Sequence, residues 1–170
     1  GVQAAGAVGQ LGHAALQGVA AAGQLAQATG QRVAAAGQVA RAVHAGSPLA
    51  AGAFVVLDGA AVSSCVEQGA DANAVVASAI ASAAGGTLFL REVELLPESV
   101  QASLEGRLEA AGAGTRLRVV ASTTRSLEDE VAQGRFSSSL YEVLSRVRLF
   151  VPPLRHRPED VAVLARAFAH

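Results

Sequence analysis

The chain has 170 residues, 51% of them hydrophobic, and a formal net charge of −1 at neutral pH, which is room for one domain with a buried core. That charge balance gives no electrostatic basis for binding nucleic acid or an anionic membrane, and no strongly apolar, glycine-poor run of about 18 residues marks a membrane span. The one cysteine, Cys65, excludes an internal disulfide, suits a reducing cytoplasm and is expected as a small buried apolar residue.

Composition divides the chain. No acid precedes Asp58, and the early sequence is mostly Ala, Gly, Gln and Val. Residues 1–28 read as a low-complexity segment, expected to be helical, with an α/β domain expected over 29–170. All 13 Lys+Arg residues are arginine, so no lysine is available to bind a phosphate. Methionine is absent as well, so the chain is expected to be a piece of something longer; no basic-then-apolar leader opens it.

In chain order, Gln31–His44 predicts a helix with Val33, Ala36, Val39, Ala40 and Val43 on one face. "AFVVLDG" (53–59) predicts a strand, and Ala74–Ala84 an alanine-rich helix. "TLFL" (87–90) reads as a buried strand that ends on Arg91 and Glu92. Pro97 suits the first turn of a helix whose stripe is Val100, Leu104 and Leu108 and which Gly112 can end. "RLRVVAS" (116–122) is a third strand, and Ser126 with Asp129 opens a short helix stopping near Gly134. Leu140, Val143, Leu144 and Val147 mark a further helix, "RLFVP" (148–152) a fourth strand, and Pro158 a last helix with Val161, Leu164 and Phe168 inward. Strands alternating with helices imply a parallel sheet covered on both faces.

The stretches "VARAVHAGSP", "GGTLFLREVELLPESVQASL" and "LRVVASTTRSLEDEVAQGRFSSSLYEVLSRVRLFVPPLRHRPEDV" resemble the AAA+ ATPase domain of sigma-54-dependent transcription activators, the bacterial enhancer-binding proteins. The resemblance runs from about Thr29 to Phe168 and is strongest after Gly85. It implies a three-layer P-loop NTPase-like fold, a parallel sheet flanked by helices, with the lid subdomain absent or truncated. It also implies a family that hydrolyses ATP in a ring and remodels sigma-54 RNA polymerase.

Residue by residue, the chemistry departs from that family. Its phosphate loop T-G-E-S-G-T-G-K-E aligns with "TGQRVAAAG": Thr29 and Gly30 match, the loop glycines become Val33 and Ala35, and the lysine becomes Ala36. Without those glycines and the lysine, an anion cradle is disfavoured. G-G-T-L-F-L-D-E-I becomes "GGTLFLREV", so Arg91 stands where the resemblance places a magnesium-orienting acid, while Glu92 keeps the acid that polarises water. A cation at that position repels magnesium; Arg91 is expected to pair with Glu92, Glu94 or solvent. The two arginines supplied to a neighbouring protomer become Ser137 and Val143; Arg135 and Arg146 lie off those positions and are expected in solvent. Thr124 replaces the asparagine that ends the sensing strand, and the region between the first two strands lacks the sigma-54-contacting G-A-F-T-G-A motif.

The expectation is a pseudo-ATPase: a non-catalytic AAA+-like regulatory or interaction module with Glu92 vestigial and no cofactor or metal. Its expected partners are other domains of the same polypeptide, an AAA+ relative, or RNA polymerase with a sigma factor, in the cytoplasm, without direct nucleic-acid or membrane binding. The alternative is an active ATP- and magnesium-dependent activator that binds nucleotide through Gly30, Arg32 and Arg91. His13, His44, His156 and His170 have no metal-ligand spacing.

Overall fold

The computed structural model describes residues 34–111 and 116–150. Three short strands, β1 (Phe54–Asp58), β2 (Thr87–Arg91) and β3 (Arg118–Ala121), form a parallel sheet in the order β1-β2-β3. Phe54 pairs with Thr87 and Thr87 with Arg118, so the carboxyl ends of the strands finish together at Asp58, Arg91 and Ala121. Helices fill the connections: α1 (described over 34–45) precedes β1, α2 (Gly59–Glu67) and α3 (Ala72–Ser82) join β1 to β2, and α4 (Glu98–Ala111) joins β2 to β3. A single 3-10 turn, Val93–Leu95, follows β2, and α5 (Leu127–Ala132) and α6 (Ser138–Leu144) follow β3.

Alternation along the strands divides the sheet into two faces. Val55, Leu57, Leu88, Leu90, Val119 and Ala121 share one face and pack in a single cluster with Val62 of α2, Val76 of α3, Val100 and Leu104 of α4, and Leu140 of α6. Leu88 and Leu90 are fully buried, each contributing about 1.5–3 kcal/mol of apolar transfer. The other face carries Phe54, Thr87 and Phe89 toward α1. There His44 Nδ1 lies 2.9 Å from Thr87 Oγ1, and the His44 and Phe54 rings are 5.4 Å apart. Helices on both faces make three layers.

Helix starts follow from short polar side chains that accept the first free amides. Asp58 takes Ala61 N–H at 2.8 Å, Asp71 takes Asn73 N–H at 3.0 Å, Ser126 takes Asp129 N–H and Ser137 takes Leu140 N–H, both at 3.2 Å. At the start of β2 the chain passes so close to β1 that a Cβ on Gly86 would sit 2.0 Å from the Ala53 carbonyl oxygen. That contact accounts for the second glycine of "GGTLFL".

Several expectations change. Helix α2 has no counterpart among the predicted elements, and α3 lies two residues earlier than expected, because Asp71 caps it. Cys65 is exposed: α2 turns Gly59 and Val62 inward, with Val66 packed beside them, and places Cys65 off that stripe. Helix α6 stops at Leu144, and Val147, expected within that helix, lies beyond it and is 80% exposed. The chain turns there so that Arg148 reaches back to Tyr141 and Glu128. Residues 148–150 are not strand, and the remainder of that predicted strand, the Pro158 helix, Gly112 and the boundary at residue 28 lie outside the described residues. Among the described residues no helix is long and apolar enough to cross a membrane.

Candidate functional site

The strand ends gather Asp58, Arg91, Glu92, Ser122 and Thr124. Arg91 and Asp58 are register partners, and the Arg91 Nε–H and Nη2–H both point to Asp58 Oδ2. The other carboxylate oxygen of Asp58 caps α2 through Ala61 N–H. Arg91 therefore pairs with neither Glu92 nor Glu94, although part of its side chain stays in solvent as expected. The parallel register puts a carboxylate from the adjacent strand directly opposite it, nearer than its own neighbours in sequence.

Glu92 leaves the strand in a left-handed conformation, φ 52° and ψ 55°, which is uncommon for a residue with a Cβ. Its N–H lies 3.4 Å from Ser122 Oγ, and the next amide, Val93 N–H, donates to the Ser122 carbonyl at 3.0 Å. On the other side its carbonyl presses on α2: a Cβ on Gly59 would fall 2.2 Å from Glu92 O. Burial, then the charges of Glu94 and Asp58, push the Glu92 carboxyl above its ordinary value, with Arg91 opposing. Glu94 turns inward, and its Oε1 accepts from Thr124 N–H at 2.9 Å and Thr124 Oγ1–H at 2.7 Å. The second Glu94 oxygen, Oε2, is buried with no partner among the described residues. Thr124 is thus committed to Glu94.

The positions aligned with the two neighbour-directed arginines are also engaged. Ser137 caps α6 and donates its hydroxyl to Glu105 Oε2 at 2.9 Å, and Val143 is half-buried in α6. Buried Gln101 of α4 braces this turn, donating to the Leu96 and Arg135 carbonyls and accepting Ser137 N–H at 2.8 Å. Arg135 and Arg146 are both exposed as expected, and Arg135 also grips Glu130 with Nε at 2.6 Å and Nη2 at 2.8 Å. Ala36 lies half-buried in α1, on the wall of an open cleft of about 800 Å³ that Phe89, Ser122, Thr124 and Phe150 also line. Gly30 and Arg32 lie outside the described residues.

These donors do not fit a divalent cation. One carboxylate of the site already holds a guanidinium, and among the described residues no group of three His, Cys, Asp or Glu side chains could hold a metal. Sequence reasoning gave no site role to Asp58, Gln101 or Glu105 and offered Glu94 only as a partner for Arg91, whereas Glu94 accepts from Thr124. Asp58 had a signal, being the first acid of the chain and the terminal residue of an apolar run, where strand-end ligand sites lie. The other three sit on elements whose facing partners are set only by packing.

A parallel sheet between helical layers, with a polar site across its strand ends, is an open α/β arrangement, and its solved neighbours make it the P-loop NTPase-like fold of the AAA+ kind. Residues 58–154 match the family described as the Sigma-54 interaction domain, and the chain belongs to that family. It is 38% identical over 146 residues to the Nif-specific regulatory protein of Rhodobacter capsulatus, covering 75% of this chain and 25% of that protein. With the DNA-binding transcriptional regulator NtrC of Escherichia coli it shares 35% identity over 146 residues, covering 75% and 31%. The crystal structure of NtrX from Brucella abortus in complex with ADP matches with a TM-score of 0.62 and 28% identity, over 77% of this chain and 33% of that one. The chain thus spans about a quarter to a third of the length of these relatives.

Proposed function

We propose that this sigma-54 activator domain is a pseudo-ATPase, kept for its fold and surfaces and acting as a regulatory or protein-interaction module. The observation that carries this reading is the Arg91–Asp58 pair at the strand ends. A nucleotide-hydrolysing site of this class needs magnesium between its acids and the phosphates. Here a fixed internal cation takes up the carboxylate instead. Ala36 supplies no ammonium, and Ser137 and Val143 supply no guanidinium to a neighbour. Glu92 remains, but the adjacent Arg91 is taken up by Asp58, and among the described residues no group that could hold a metal stands beside it. The partners this surface would serve are the rest of its own polypeptide, an AAA+ relative, or RNA polymerase with a sigma factor.

The alternative, an ATP-dependent activator, draws on the NtrX relative, whose structure was also solved in complex with ATP. In that case Arg91 would have to leave Asp58 for a phosphate. Phosphate release from MgATP separates the two. The pseudo-ATPase gives no turnover above the protein-free blank. Turnover that disappears in Glu92→Gln overturns it.

A further inference from the structure

Asp58 has two carboxylate oxygens and uses each for a different element. Oδ2 receives the Arg91 guanidinium at the end of β2, and Oδ1 receives Ala61 N–H, 2.8 Å away, in the first turn of α2. The guanidinium on one oxygen and the Ala61 amide on the other together restrict how the carboxylate can turn. The same junction is closed a second time by backbone contact, since Gly59, the first residue of α2, lies against the Glu92 carbonyl. On its other side the end of β2 is held to the end of β3, where Glu92 N–H and Val93 N–H reach Ser122. Helix α2 itself contributes only Gly59 and Val62 as buried residues. Its apolar anchorage is thin, and its seat depends on what happens at its first turn.

We infer that Arg91, through Asp58, is a latch that holds α2 in one position without a ligand. The β2 end and the start of α2 move as one piece because a carboxylate shared between them is pinned by a cation built into the chain. The inference deepens the reading above and rests on it for one point: no metal or nucleotide is needed to set the position of α2. Arg91 is a positioning residue here. Its side chain is 41% exposed and that of Asp58 17%, so the pair is accessible enough to alter without cutting into the apolar core.

Amide hydrogen exchange on the full chain, without nucleotide, tests the latch. In Arg91→Ala the α2 amides, Ala61 first, are expected to exchange about tenfold faster than in the parent, while Leu88–Leu90 stay protected. Asp58→Asn separates the latch from ordinary capping, because asparagine still caps a helix but cannot form the ion pair. It is expected to behave like Arg91→Ala, and Arg91→Lys to restore part of the protection. Should Arg91→Ala lose protection in the core as well, Asp58→Asn decides by the same comparison. Parent-like α2 exchange in both Arg91→Ala and Asp58→Asn overturns the latch. So does parent α2 exchange that slows further when MgATP is added. ATP turnover with α2 exchange unchanged would instead defeat the pseudo-ATPase reading and leave the latch standing.

Discussion

Arg91 and Asp58 face each other in register at the carboxyl ends of adjacent parallel strands, and the guanidinium of one lies on a single carboxylate oxygen of the other. The pair occupies the edge at which α/β sheets bind ligands. Arg91→Asp turns it into two carboxylates directly opposite each other. Such a like-charge cross-strand pair destabilises by about 1 kcal/mol, and screening removes part of that in salt. Thermal unfolding of Arg91→Asp should show a lower Tm than the parent at low ionic strength and a smaller deficit at high. An equal Tm at low salt would mean the pair contributes nothing.

Gly59 is tested separately from charge. A Cβ there would meet Glu92 O at 2.2 Å and Arg91 O at 3.1 Å, both backbone atoms that cannot rotate away. Gly59→Ala should cost about 1–3 kcal/mol, read as a lower urea midpoint at unchanged slope. A parent-like midpoint would show that α2 shifts freely at its start.

Glu92 gives a pH dependence of defined sign. Its folded carboxyl titrates above the ordinary value of 4.5, so between those two points the folded chain holds a proton that the unfolded chain has lost. Stability then falls as pH rises through this window, and above it the ionised Glu92 is a standing penalty. Glu92→Gln should therefore be more stable than the parent at neutral pH, with the advantage fading to nothing below about pH 4.5. Chemical denaturation of both proteins across that range checks it. A neutral-pH loss on substitution would give Glu92 a native role that its position does not suggest.

Gln101 is 3% exposed and satisfies three backbone groups across the α4 to α6 junction. Gln101→Leu keeps the bulk and leaves those groups without their partner, at a cost of about 1–3 kcal/mol. The loss should appear in equilibrium unfolding and also as faster exchange of the Ser137 amide. Unchanged Ser137 exchange would show that another group takes over.

The buried centre of this fold was readable because its signals are local. "TLFL" is a short apolar run bounded by Gly-Gly and a charged end, and Val100, Leu104 and Leu108 keep helical spacing; Val100 and Leu104 are fully buried and Leu108 packs on the core. The departures at Ala36, Arg91, Ser137 and Val143 were equally visible, since each needs only an aligned position. What sequence could not supply was the partner of each polar group. Asp58 meets Arg91 across 33 residues, and Glu94 meets Thr124 across 30, through a strand register that local pattern does not encode. Helix α2 escaped notice because "GAAVSSCVE" has only Val62 and Val66 as large apolar anchors, too few for a periodic stripe.

Isothermal titration of the chain with MgATP tests the central claim most directly, because it asks whether Arg91 stays on Asp58 or gives itself to a phosphate. The pseudo-ATPase reading expects no saturable heat in the parent and none in Arg91→Ala. Micromolar binding in the parent that is abolished in Arg91→Ala would contradict it.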